Sequence, residues 1–207
     1  MADDCCSGKG SELEKLAAQA DQRRVLMIVL AINAVMFVAE FTAGIIAGST
    51  ALLADSVDML GDALVYSLSI FAISRSDRWK GGAALAKGIF ILAFGVGILV
   101  DIAIKLDSGV PPSSTLMLVF GTIALLANLA CLRLLWRFRA KDVNMASTFE
   151  CSRNDVISNV GVLIAAAAVT ATASPWPDII VGAVIAVLFL KSAVHVIRQS
   201  LPILKPA

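Results

Sequence analysis

Three aspartates stand in the stretch ADSVDMLGDALVYS, residues 54–67, at positions 55, 58 and 62. Spacings of three and four place Asp55, Asp58 and Asp62 along one face of an α-helix. A second stretch, FECSRNDVISN, sets Cys151 and Asp155 four apart, with Asn159 four further on. Two helices thus each offer an i, i+4 donor pair. Four monodentate oxygen and sulfur donors suit a tetrahedral divalent ion such as Zn²⁺. The thiolate moves preference toward Zn²⁺ and Cd²⁺ and away from Mg²⁺ and Ca²⁺, which take oxygen ligands. Because thiol and carboxyl groups must lose protons to bind a metal, occupancy and protonation are coupled. That coupling is the chemistry of an antiporter.

These groups stand in an otherwise apolar chain. Of 207 residues, 58% are hydrophobic and 16% charged, and the mean hydropathy of +0.86 lies outside the range of soluble globular domains. The composition is that of an all-α polytopic membrane protein. A carboxylate deep in hydrocarbon is costly unless it is paired, protonated or bound to a cation, so its presence there points to function. Apolar runs of about 20 residues, enough to cross roughly 30 Å of hydrocarbon, fall at about 25–47, 51–74, 82–104, 114–136, 145–172 and 177–199. They predict six transmembrane helices. Residues 1–24 read as a polar cytoplasmic tail, 25–200 as the membrane domain, and 201–207 as a short cytoplasmic tail with no C-terminal metal-binding domain.

Basic residues set the orientation. Lys9, Lys15, Arg23 and Arg24 precede the first run; Arg75, Arg78 and Lys80 lie in the second connection; Arg133, Arg137, Arg139 and Lys141 surround the fourth; Arg198 and Lys205 lie near the carboxyl end. Connections one and five carry no basic residue, and the third only Lys105. Both termini are therefore expected to be cytoplasmic. No apolar core follows a short basic start, so the amino end does not read as a signal peptide. No basic tract is dense enough for nucleic acid. Cys5, Cys6, Cys131 and Cys151 form neither a disulfide framework nor a CxxC knuckle.

Helix two enters from the outer side near residue 50, setting Asp58 and Asp62 about 12 and 18 Å down at 1.5 Å per residue. Helix five enters from the inner side near residue 143 and brings Cys151 and Asp155 to similar depth from the opposite face. Asp58, Asp62, Cys151 and Asp155 are thus the expected metal ligands, close to the midplane. The competing reading is a structural network in which Asp155 pairs with Arg153 or Lys87. Matched donor pairs on two helices at one depth favour the ligand reading.

Other residues have plainer readings. Asp55 is expected to cap helix two or line an outer vestibule, and Asp178 to cap helix six. Asn33 and Glu40, seven apart on helix one, either line the route and orient ligands or form structural hydrogen bonds. The GIIAG of Gly44–Gly48 is a small-xxx-small spacing, Cys131 is packing, and His195 is interfacial. Trp79, Trp136 and Trp176 fall at helix ends as interfacial anchors. Cys5 and Cys6 could collect soft metal but belong to a tail expected to be disordered.

The run NAVMFVAEFTAGIIAGSTALLADSVDMLGDALVYSLSIFA resembles helices one and two of the cation diffusion facilitator family. CSRNDVISNVGVLIAA is similar to that family's helix five, and WPDIIVGAVIAVLFLKSA to its helix six. The resemblance implies a six-helix exporter of divalent transition metals, not an enzyme, exchanging metal for protons and usually a homodimer. Its site, carried over by position, is Asp58 and Asp62 with Cys151 and Asp155. Many zinc-selective members have His where this chain has Asp58, most have His at the position of Cys151, and a His-rich connection between helices four and five is replaced here by RFRAKDVNM. Most members also carry a cytosolic domain after helix six, whereas this sequence stops about eight residues beyond it. A dimer would then be held by membrane helices.

The expectation is a secondary transporter that moves Zn²⁺, Cd²⁺ or a similar ion out of the cytoplasm by metal/proton antiport with alternating access. It would be integral to a bacterial cell (inner) membrane. The cation is cargo, no resident cofactor is expected, and the partners are metal ions, protons and lipid, without nucleic acid. One rival is an intramembrane aspartyl hydrolase, but Gly61–Asp62 lacks a GxGD pattern and a cysteine near the second aspartate has no role in that chemistry. The other is a divalent-cation channel or accessory subunit, which needs no proton coupling.

Overall fold

The computed structural model describes residues 3–72, 77–140 and 143–204. They form six helices: α1 (Asp3–Ala47), α2 (Thr50–Ala72), α3 (Asp77–Ser108), α4 (Ser114–Trp136), α5 (Val143–Thr172) and α6 (Trp176–Leu204). No strand occurs among the described residues. Stretches within α1, α3, α4, α5 and α6 are long and apolar enough to cross a bilayer. The sixth, α2, has 23 residues and carries three carboxylates, and it is long enough to span about 34 Å at 1.5 Å per residue. The protein is integral and multi-pass.

Glycine sets two of the outer turns. Gly48, at φ +63, ends α1, and Gly109, also at φ +63, ends α3 with its N–H on the Lys105 carbonyl at 3.1 Å; both adopt the left-handed conformation that a side chain disfavours. Lys105 therefore lies in the last turn of α3 and not in a connection, correcting the sequence reading. Within Gly44–Gly48, only Gly44 serves close packing. A Cβ there would stand 2.9 Å from Leu53 Cδ2 and 3.1 Å from the Leu53 nitrogen, so α1 and α2 meet at that point, whereas Gly48 serves the turn. The expected amino-terminal tail also differs, because residues 3–24 continue α1 as helix. SELEKLAAQADQRR is rich in strong helix formers, and helix propensity does not stop at the membrane boundary.

The helices pair along the chain as α1 with α2 and α4 with α5, and α3 returns to α6. α2 touches α1, α3, α5 and α6 and is the hub of the bundle. Small side chains line its packing: Ala51 and Ala54 of α2, Ala165 and Ala166 of α5, and Ala186 and Ala193 of α6 are all buried in one core with Leu52, Val57, Met117, Val162 and Phe189. Small residues let membrane helices approach closely where no hydrophobic drive from water operates. Met117 of α4, fully buried, fills the space beside α5. Met117→Ala is expected to lower stability by about 2–5 kcal/mol through the cavity it leaves, measurable as a lower melting temperature in detergent.

Candidate metal centre

The site is built on α2, and α2 is held first at its outer end. Ser49 precedes the helix and its Oγ accepts from the Leu52 N–H at 3.1 Å, an ordinary N-cap. The N–H groups of Thr50 and Ala51 go to Asp178 of α6, at 2.8 and 3.0 Å, and Ser49 Oγ donates to the same carboxylate at 2.6 Å. Asp178 is fully buried. It therefore caps α2 and not α6, correcting the sequence reading. Thr50 Oγ1 donates to Asp101 Oδ2 and accepts from Lys105 Nζ, each at 2.7 Å, while Lys105 and Asp101 pair at 2.7 Å. This ties α3 into the same knot.

Below the knot the carboxylates descend as one stripe. Asp55 is 1% exposed and sits in the second turn, so of the two expected roles, cap or outer vestibule, it is not the cap. It lies against Glu40 of α1, itself 0% exposed, so that the two buried carboxyl groups face each other. Asp58 comes next, within the field of Asp55 and Asp62. Asp62 is buried beside Asp155 of α5. Exposure changes along this line: Ala54–Val57 are buried, whereas Asp58, Leu60 and Leu64 are only half-buried. Along the stripe Asp58 is half-buried, between a buried Asp55 and a buried Asp62.

The other half lies on α5. Asp155 is buried with Oδ2 unpartnered, and Cys151, one turn before it, is half-buried and free, in the field of Asp62, Asp155 and Asp58. The four expected ligands therefore occupy one neighbourhood between α2 and α5. They do not close into a shell: among the described residues, no three His, Cys, Asp or Glu side chains converge closely enough to hold a metal ion. Closing the site requires α5 to move on α2 or the side chains to turn.

The ion pair of the competing reading, Asp155 with Arg153, does not form. Arg153 is exposed and pairs with Glu150 on the same helix. Lys87 of α3 does reach the site, but its electrostatic neighbours are Asp62, Cys151 and Asp58.

Asn33 is buried with Nδ2 on the Val29 carbonyl at 2.9 Å, and its Oδ1 has no partner. Asn159 repeats this pattern on α5, donating to the Asp155 carbonyl at 2.8 Å with Oδ1 unpartnered. Asn128 of α4 and Ser152 of α5 are also buried, with Asn128 Nδ2 and Ser152 Oγ unpaired. Buried polar atoms are normally satisfied, yet these lie on α1, α4 and α5. Asn128 had a visible signal that sequence reasoning passed over, since it is the lone amide in the apolar run ALLANLACL. Asp101 and Ser152 had none beyond their type.

A family model described as the cation efflux transmembrane domain matches residues 26–205. The chain is 24% identical over 198 residues to the metal cation efflux system protein CzcD of Cupriavidus metallidurans, covering 86% of this chain and 63% of that protein. It is 26% identical over 196 residues to the zinc transporter ZitB of Yersinia pestis, covering 88% and 63%. To a cadmium, cobalt and zinc/H(+)-K(+) antiporter of Bacillus velezensis it is 24% identical over 202 residues, covering 90% and 64%. The chain thus spans slightly under two thirds of the length of these curated relatives.

Proposed function

The chain belongs to the cation efflux family, and from that premise we propose that it exports a divalent transition metal, Zn²⁺ or Cd²⁺, in exchange for protons. One observation carries the reading. Asp58 and Asp62 of α2 and Cys151 and Asp155 of α5 lie together in the interior of an otherwise apolar bundle. The printed names of the relatives, which include zinc, cadmium and cobalt, support the metal class. The cation is cargo, and no resident cofactor is required.

The cycle uses this chain's own groups. With the first turn of α2 tied to α6 and α3 at its outer end, the donors are reached from the cytoplasmic side. A metal entering there meets Asp62 and Cys151, the donors nearest the inner side on each helix, before Asp58 and Asp155. Binding needs the thiolate and carboxylates, so protons leave as metal arrives. Closure of α5 on α2 completes the shell, and opening toward the outer side lets protons displace the ion, with the helices rocking about a central site. Lys87 supplies a cation to the same field while metal is away. A second copy is expected to pack on the lipid face of α3, where exposed Ala93 and Gly97 permit a close helix approach.

Sealed vesicles test the coupling. Cd²⁺ uptake is expected to accelerate when an outward-acting proton gradient is imposed and to move protons in return, and Cd²⁺ affinity should weaken as pH falls, because protons and metal compete for the same atoms. Uptake indifferent to the gradient and silent in proton flux would identify a channel instead.

A further inference from the structure

We propose that Asp178 is a positioning residue for the metal centre, which it never touches: with Gly182 it fixes the height at which α2 presents Asp58 and Asp62 to α5. The inference rests on the metal reading above.

Three independent contacts converge on the first turn of α2. The first is electrostatic. A buried carboxylate from α6 receives the Ser49 hydroxyl and the Thr50 and Ala51 N–H groups at 2.6, 2.8 and 3.0 Å. Bonds to a charged acceptor are the stronger kind, and the negative charge sits at the positive end of the helix dipole. The second is steric. Gly182, one turn further along α6, has no room for a Cβ, which would stand 2.7 Å from Thr50 Cγ2, 2.8 Å from the Thr50 carbonyl carbon and 3.0 Å from the Ala51 nitrogen. Two of those atoms are backbone and cannot turn aside. The third is the Thr50 hydroxyl, shared between Asp101 and Lys105 of α3.

An α-helix transmits such a constraint. Between Thr50 and Asp58 the chain is one unbroken helix, buried at nearly every position, so its start dictates where the ligands stand. A slide of α2 along its axis by one residue rise, about 1.5 Å, is comparable to the whole tolerance of a ligand shell, since metal–ligand distances hold to within ±0.2 Å. With α2 fixed at its outer end, the unclosed donors are brought together by α5 approaching α2, and not by α2 sliding to meet α5.

Cd²⁺ binding to purified protein in detergent tests this, with Cys5 and Cys6 replaced by serine and the Cd–thiolate ultraviolet band of Cys151 as the readout. Asp178→Asn keeps the size of the side chain but loses its charge and one acceptor oxygen. Gly182→Ala attacks the same contact sterically. Both are expected to weaken Cd²⁺ binding at least 10-fold per folded molecule and to shift the Cd–thiolate band, while Asp178→Glu recovers part of the affinity. Met117→Ala serves as the comparison that loses stability without touching this contact, and its affinity per folded molecule should stay within 3-fold of wild type. Wild-type affinity in folded Asp178→Asn and Gly182→Ala would overturn the inference, as would an equal loss in Met117→Ala. Should one of the two variants not fold, the other decides. A wild-type protein that binds no Cd²⁺ at all overturns the metal reading itself, a different result from a wild type that binds and variants that bind equally.

Discussion

Asp155→Ala, and likewise Asp62→Ala, is expected to reduce metal uptake into sealed vesicles by at least about 100-fold, the upper end of what loss of a supporting group around a metal costs. For Asp155→Ala, expression and melting temperature in the absence of metal should hold or rise. The two halves of that expectation come from one fact. Asp155 is buried with an oxygen that no partner satisfies, so its presence costs the fold stability. A carboxylate kept for structure would show the reverse pattern, a loss of stability on removal with transport falling only as folded protein falls. Full uptake in either variant would remove that residue from the ligand set. Added Cd²⁺ should raise the melting temperature of the wild type but not of Asp155→Ala, because only a protein that binds the ion gains by mass action.

Cys151→His is the second large effect. Sulfur favours the softer ion, and imidazole suits Zn²⁺ well. The ratio of Cd²⁺ to Zn²⁺ transport should fall by about 10-fold or more, equivalent to roughly 1.4 kcal/mol of relative affinity. Competition between the two ions on purified protein reads this directly. An unchanged ratio would place Cys151 beside the ion's path and not in its shell. Cys131 makes a useful contrast: it is fully buried with Leu135 and Phe138, and Cys131→Ala is not expected to alter the ratio.

The helices and the ligand stripe were legible in the sequence because both are local. Apolar runs of membrane length and an i, i+4 spacing are decided within a few turns, and Asp58–Asp62 and Cys151–Asp155 show them directly. Asp178 was misassigned for the opposite reason. A carboxylate two residues into a helix resembles a cap for that helix, and nothing in WPDII tells that Thr50, far away in sequence, will present its N–H to it. Lys105 was misread similarly, since only the fold shows that the helix runs on to Ser108 and that Asp101, one turn earlier, receives its charge. Asn128 was missed because a single amide in an apolar run gains meaning only when the fold shows it buried with an unpartnered nitrogen. Pairing between helices thus accounts for each of these differences.

The capped start of α2 also separates two kinds of change that a sequence can undergo. Between Ala51 and Val57, exchange of one small apolar residue for another alters packing by modest amounts and leaves the ligands where they are. Insertion or deletion of a single residue in that segment is of another order, because each residue turns a helix by about 100° and lifts it by about 1.5 Å. With the outer end clamped, the whole displacement passes to Asp58 and Asp62, which would swing away from α5 toward another neighbour. The seven positions from Ala51 to Val57 therefore act as a ruler. Their number is constrained more tightly than their identity.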